Sequence, residues 1–432
     1  MRGRFWGLLG VVAVGLVACA GIVAAQTSAQ GDGGGAYASG KYQNLFAAQG
    51  HSEAEVRDHI EAGYQQLFHG NPNTEAIFFP AGQNANGPLA YITDWANYDA
   101  RTEGMSYGMM VSVQLNHKAE FDALWNWAMT YMYISDPNHP SHGYFSWSVR
   151  TDGRPNDETA APDGEEYFVM ALYFAGNRWG NGTGIYDYKA MADRLLHTMR
   201  HREVMTGPTK FGPRTEGAET DETHAMIRFV PGKWGDFTDP SYHLPAFYEL
   251  WARWGPAEDR EFWARAAEVS RKFFVASTNP QTGLAPDYAN FDGTPKTLFG
   301  STGAFGYDAW RTASNWSVDW AWWGKSPSER VLSDRIQGFF TAQGKACADR
   351  YTLEGKSLSA GHPGAPGASC SPGLTGTNAV ASLAATNPHA GEFVSALWAT
   401  PAPTGGQRYY DGLLWLMSTM HVGGEYRILA PK

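Results

Sequence analysis

Twelve amphipathic segments at helical spacing, with no linker between them, restrict this chain's fold more than any other feature. Ser52 is a good N-cap for a helix over 53–69, whose apolar or aromatic positions are Val56, Ile60, Tyr64 and Leu67-Phe68. The same periodicity predicts helices over 105–116, 119–133, 164–178, 187–203, 242–254, 258–275, 304–323, 327–342, 376–386, 390–398 and 408–420. They fall in loose pairs joined by long loops rich in Gly, Pro, Asn and Asp. Repeated strand–helix alternation is missing, which disfavours a doubly wound sheet or a TIM barrel. Short strand-like pieces do occur in the loops, at 143–149 and 225–229. Twelve paired helices without sequence repeats fit an all-α fold, an (α/α)6 barrel formed as one domain over 42–432. In such a barrel, an inner ring of helices presents its loops to a wide cleft at one end.

Residues 1–25 read as an address rather than as fold. A basic start, Met1 to Arg4, precedes an apolar run from Gly7 to Val17 that is too short for a confident membrane span. Two cleavage readings compete. Val23-Ala24-Ala25 suits a general signal peptidase, whereas Leu16-Val17-Ala18-Cys19 resembles a bacterial lipobox that would attach the chain to a membrane through lipidated Cys19. Residues 26–41 are Gly-, Ser-, Ala- and Gln-rich and read as a flexible tether. The expectation is an exported protein, either secreted or periplasmic, or lipid-anchored at the bacterial envelope. In an oxidising compartment Cys347 and Cys370 could pair and staple a Gly/Pro/Ser-rich loop; two unrelated buried thiols fit the spacing equally.

A net charge of −10 argues against a nucleic-acid partner, which calls for a basic footprint. Aromatic residues make up 14%; either an aromatic-rich core or flat faces that stack on sugar rings would account for the excess. No CxxC pair or His/Cys cluster suggests zinc. His197 and His201 are four apart but lack the Glu of a zinc-protease helix, so they read as ordinary surface residues.

Four segments carry candidate chemistry. Glu103, in Arg101-Thr102-Glu103-Gly104-Met105-Ser106-Tyr107-Gly108, lies just before an apolar helix. A carboxyl desolvated among aromatics and methionines has a raised pKa, as a general acid requires; a first-turn Glu favoured by the helix dipole is the plainer reading. The same run contains G-x-S-x-G around Ser106, but a serine-hydrolase elbow needs a buried strand immediately before it, and none is expected here. Asp163 and Glu166 have the spacing of a helix capping box. Asp308 and Arg311, three apart, face one another on a helix. They are either a plain salt bridge or a carboxylate kept ionised as a general base. Asp239-Pro240-Ser241-Tyr242-His243 is a turn into a helix, explicable by turn chemistry.

Taken together, these segments resemble glycoside hydrolase family 8. The run Arg101 to Met110 resembles the family's general-acid signature, and Tyr307-Asp308-Ala309-Trp310-Arg311 the segment carrying its general base. Asp163, Tyr242 and the late run Arg408 to Gly412 match in order and character, so the resemblance covers the chain from about residue 42. It implies an (α/α)6 barrel and inverting hydrolysis of β-1,4-linked glycans by two carboxyls and water, without a cofactor or metal. Glu103 would protonate the leaving oxygen and Asp308 would activate a water on the opposite face of the sugar. That geometry needs a carboxyl separation of roughly 6.5–9.5 Å. Asp163 would bind the sugar at the cleavage point, Tyr242 would help position the water, and Arg311 would hold Asp308. Trp147 is a candidate stacking platform. Within the family, the stretches 102–110, 152–168 and 306–311 are most similar to the reducing-end xylose-releasing exo-oligoxylanases. Those enzymes block the cleft with a loop carrying a His, for which His362 is the matching candidate.

The expected partner is therefore an oligosaccharide and the expected state a monomer. Without the barrier loop, the same cleft implies an endo-acting xylanase, cellulase or chitosanase. A protein that kept the cleft only to bind glycans is the reading from another class.

Overall fold

The capping residues set the first long helix where the periodicity places it. In the computed structural model this helix spans Glu53–His69; the Ser52 side chain accepts from the Glu55 N–H, and the Glu55 carboxylate accepts from the Ser52 N–H. The structure describes residues 35–232, 235–298, 303–344, 347–358 and 370–432. Within them, two single-turn helices, α1 (Ala36–Ser39) and α2 (Leu45–Ala48), precede twelve longer ones. These are α3 (Glu53–His69), α4 (Thr102–Leu115), α5 (Lys118–Trp127), α6 (Pro162–Trp179), α7 (Tyr188–His201) and α8 (Pro245–Trp254), followed by α9 (Arg260–Ser277), α10 (Trp310–Trp323), α11 (Pro327–Gln343), α12 (Pro372–Val380), α13 (Ala390–Ala399) and α14 (Arg408–Val422).

Every expected helix is present. Boundaries move where backbone geometry changes at an end. The helix expected from residue 304 begins at Trp310, after a 3₁₀ turn over Tyr307–Ala309. The helix expected at 376–386 starts earlier, because Ser371 caps it through the Leu374 N–H and Pro372 fills its first position.

The even-numbered helices from α4 to α14 form an inner ring. α4 packs on α6, α8 on α10, α10 on α12, α12 on α14, and α14 returns to α4. α6 meets α8 through the Tyr167 and Phe247 rings, 5.1 Å apart. The odd-numbered helices from α3 to α13 lie outside, each against an inner neighbour. This is the alternation of an (α/α)6 barrel. An inner helix has no solvent face, so its sequence is apolar nearly all round: α6 is buried continuously from Pro162 to Ala175. Four small antiparallel sheets occupy the loops. One pairs β1 (Phe78–Asn84) with β2 (Gly87–Ile92), and another joins β3 (Asp99–Arg101), β4 (Ser148–Arg150) and β5 (Pro155–Asp157) beside the start of α4.

The last part of the expected tether is ordered against the barrel. Residues 35–41 pack on the barrel, with Tyr37 stacked on Trp323 at 4.3 Å and the Arg253 guanidinium 5.1 Å from the Tyr37 ring. Cys347 and Cys370 are joined as a disulfide. Cys19 with both cleavage sites, and His362 with most of its loop, lie outside the described residues. Among the described residues, no helix is long and apolar enough to cross a membrane.

Burial of α6 on all sides also encloses acidic side chains. Glu165, Glu166 and Glu219 are each 0% exposed, and neither carboxylate oxygen of Glu219 has a hydrogen-bond partner among the described residues. Burial pushes the Glu165 carboxyl up to about 8, against the lowering effect of the Phe145 N–H it accepts at 3.0 Å. A folded pKa above the ordinary 4.5 gives stability that is complete below pH 4.5 and is lost as pH rises through about 8. Glu165→Gln keeps the acceptor and removes the titration. The variant should lose less stability than the parent between pH 5 and pH 8, by up to about 1.4 kcal/mol per pH unit. Urea midpoints at the two pH values check this.

Candidate active site

One guanidinium organises the mouth of the inner ring. Arg311, second residue of α10, is buried and donates through Nη1 to Glu103 Oε2 at 3.1 Å, Tyr107 Oη at 2.6 Å and Asp163 Oδ2 at 2.8 Å. Its Nη2 donates to Ser241 Oγ at 2.9 Å and lies 3.3 Å from Asp308 Oδ1. Three carboxyls thus meet one cation. Glu103 and Asp163 come from the first turns of α4 and α6, and Asp308 from the 3₁₀ turn that opens α10. Helix N-termini carry partial positive charge, so their convergence further favours acidic groups here.

Two glycines permit this approach. A Cβ on Gly164 would come within 2.4 Å of the Thr102 Cβ, so only glycine lets the starts of α6 and α4 meet. A Cβ on Gly104 would lie 2.4 Å from the Tyr409 ring. Tyr409, from the first turn of α14, donates its hydroxyl to Glu103 Oε1 at 3.0 Å. Glu103 therefore has a donor on each oxygen.

The three carboxyls differ in exposure, and that sets their chemistry. The Glu103 side chain is 16% exposed, Asp163 7% and Asp308 35%. Burial pushes Glu103 up to about 8, with Asp163 and Asp308 adding to the rise and Arg311 opposing it. Burial also raises Asp163, with Arg311 again opposing. Burial raises both Glu103 and Asp163, which interact, so the pair favours keeping a proton, with Glu103 pushed up to about 8. The nitrogens of a guanidinium are about 2.3 Å apart. Bridging through Arg311 therefore keeps these Glu103 and Asp308 oxygens no more than roughly 9 Å apart, below the upper limit of the separation that inverting enzymes use.

Tyr242 is buried, with its ring 5.8 Å from the Arg311 guanidinium and in contact with Phe229. Trp147 lies beside Glu103: its carbonyl accepts from the Thr102 N–H, and Arg101 sits 5.3 Å over its ring. Of the expected site residues, Glu103, Asp163, Tyr242, Asp308 and Arg311 converge, Trp147 flanks them, and His362 lies outside the described residues.

Two local readings are corrected. Asp163 and Glu166 do not form a capping box. Ala161 is the N-cap with Pro162 at the first position, so Asp163 is free to reach Arg311, while Glu166 accepts from the Tyr248 hydroxyl at 2.5 Å. A short strand, β3, does directly precede α4. Ser106 is nonetheless no elbow nucleophile, because it is buried within the helix and donates to the Glu103 carbonyl at 3.0 Å.

Some site residues carried no role in the sequence reading. Asp239 caps the 3₁₀ turn Pro240–Tyr242 through the Ser241 N–H, but its Oδ2 is buried without a hydrogen-bond partner among the described residues. Burial and the neighbouring Asp308 hold it well above the ordinary aspartate range. A local Asp-Pro-Ser signal says "turn" and nothing of burial. Tyr307 is 45% exposed at the rim, with a positive φ of 47° that a bulky side chain seldom adopts. Strain of that kind concentrates at functional sites. Its carbonyl accepts from the Tyr410 hydroxyl at 3.1 Å, which helps hold the turn that carries Asp308.

Comparison with known proteins identifies the family of the chain. The model for glycosyl hydrolases family 8 matches residues 86–424. A reducing-end xylose-releasing exo-oligoxylanase of Paenibacillus barcinonensis is 42% identical over 92% of this chain and 99% of its own length. One from Halalkalibacterium halodurans is 41% identical over 92% of this chain and 97% of its own. Among solved structures, a family-8 xylanase of Teredinibacter turnerae, a catalytic mutant in complex with xylohexaose, is 50% identical. It superposes with a TM-score of 0.89 over 92% of this chain and all of its own. With the barrel fold, a family match over residues 86–424 and relatives matched across most of the chain, the protein belongs to glycoside hydrolase family 8.

Proposed function

We propose that the protein is an inverting glycoside hydrolase that releases xylose from the reducing end of β-1,4-xylo-oligosaccharides. Glu103 is the general acid and Asp308 the general base. The observation that carries this reading is Arg311, which holds a protonated Glu103 and a solvent-facing Asp308 on opposite nitrogens of one fork. Glu103 delivers its proton to the glycosidic oxygen. Asp308, the most exposed of the three carboxyls, takes a proton from the attacking water on the other face of the sugar. Asp163, fixed by Arg311, receives a sugar hydroxyl at the cleavage point and opposes the positive charge that develops on the ring. Tyr242 borders the water's position. Trp147 and Tyr307 offer aromatic faces to flanking sugars.

The two exo-oligoxylanase relatives, matched nearly end to end, support exo action on xylo-oligosaccharides. Endo action on xylan is the second reading, favoured by the higher identity to the Teredinibacter turnerae xylanase. Timed product analysis of reducing-end-labelled xylotriose and xylotetraose, with polymeric xylan alongside, separates them. Exo action releases labelled xylose first and leaves polymer nearly untouched. Internal cleavage of xylan into mixed oligomers would move the protein to the endo reading, and binding without hydrolysis would reject both.

A further inference from the structure

A second cluster of chemistry lies on the outer ring, where the sequence suggested only surface histidines. His197 and His201 stand one turn apart on α7, with ring centroids 4.5 Å apart. Facing them is Asp259, which closes the 3₁₀ turn Ala257–Asp259 and starts α9. One ligand atom from each of the three residues lies within 4.8 Å of the others.

Asp259 is the unusual member. It occupies the N-cap position of α9, where an aspartate ordinarily accepts from N–H groups of its own helix, yet its side chain makes no capping bond. It is 0% exposed. Its Oδ1 contacts His201 Nε2 at 2.6 Å, and its Oδ2 is buried without a hydrogen-bond partner among the described residues. A carboxylate in that setting is costly unless something completes its coordination.

Arg200 does so only in part. Its Nε lies 3.4 Å from Asp259 Oδ1 without forming a hydrogen bond. Its charge is directed elsewhere, with Nη1 donating to Glu222 at 2.6 Å and the guanidinium stacked 3.4 Å over Phe262. Asp193, one turn before His197 on the same helix, adds negative charge nearby but is already bonded to Tyr173 and Lys189.

We propose that His197, His201 and Asp259 bind a divalent transition metal of the zinc and copper class, clipping α7 to the start of α9. Two imidazoles and one carboxylate favour borderline cations over calcium or magnesium, which prefer all-oxygen shells. Three protein ligands leave a fourth position for water. Ligand atoms on one tetrahedral zinc lie about 3.4 Å apart. The site therefore closes by small rotations of the exposed His197 and by slight lengthening of the His201–Asp259 contact. The role is structural, since none of the three residues belongs to the Arg311 cluster.

Calorimetric titration of tag-free protein with zinc chloride tests the proposal. One zinc per chain is expected, with affinity at least tenfold weaker in His197→Ala. At zinc about 100-fold above Kd, the parent's Tm should rise by roughly 3 °C, with no rise in calcium or magnesium. His197 is exposed and its described contact is the ring of His201, so His197→Ala should fold and keep parental glycosidase activity. Asp259→Asn tests the carboxylate separately. Absence of stoichiometric zinc binding in the parent, or unchanged binding in His197→Ala, overturns the site.

Discussion

Glu103→Gln is expected to lower kcat on xylotriose by roughly 10³-fold while leaving the fold intact, the range that a general acid supplies. Gln can still accept from Arg311 through its one oxygen, and its NH2 can donate to the Tyr409 hydroxyl, so neither neighbour is left unpartnered. The readout that marks acid catalysis is a substrate whose leaving group needs no proton. On β-xylobiosyl fluoride the variant should retain activity within about tenfold of the parent. Equal losses on both substrates would assign Glu103 a role in binding instead. The pH profile gives a second check. Glu103 is held near 8, chiefly by burial, so it carries its proton below that pH and loses it above. The parent's kcat should therefore fall about tenfold per pH unit on the alkaline side of 8. The residual activity of Glu103→Gln should lack that limb.

Arg311→Met should be the most disruptive single change in the cleft, because one side chain serves Glu103, Asp163, Asp308, Tyr107 and Ser241 together. Removing the cation leaves buried carboxyls facing one another. Breaking a buried pair in this way typically costs about 3–5 kcal/mol. Activity should fall beyond detection on oligosaccharides, since both proposed catalytic carboxyls lose their support. The stability loss has a pH signature. Without Arg311, which opposes their rise, the folded pKa values of Glu103 and Asp163 go up further, so their stability contribution is retained at low pH and lost as pH rises. Denaturation midpoints should therefore separate from the parent far more at pH 8 than at pH 5. Arg311→Lys should recover part of the stability and little of the activity, because one ammonium cannot hold Glu103 and Asp308 on two sides of a planar fork. A uniform loss across pH, with kcat intact, would refute the network.

The helices were legible in the sequence because helix formation is local. Ser52 with Glu55, and the apolar spacing that follows, set α3 at Glu53–His69 without reference to any other part of the chain. Counting twelve such segments was enough to choose the barrel, since few layer architectures accommodate paired helices without strands. Glu103, Asp308 and Arg311 were also visible, as residues of suitable type in runs that resemble a known signature.

What local sequence could not supply was the company those residues keep. Asp163 looked like half of a capping box, and its partner proved to be Arg311, 148 residues away. Asp239 looked like turn chemistry and is a buried acid beside the proposed base. Residues 35–41 looked like tether, yet Tyr37 finds Trp323 only once the barrel has closed. His197 and His201 are exposed, as their sequence implied, but only the fold shows that α9 brings Asp259 against His201. The physical reason is the same in each case. Helical periodicity depends on neighbours three and four residues away, whereas desolvation and charge coupling depend on whatever the fold brings within a few ångströms. Sequence alone determined the helices and the class of barrel; the tertiary structure alone decided which carboxyls are buried and which cation they share.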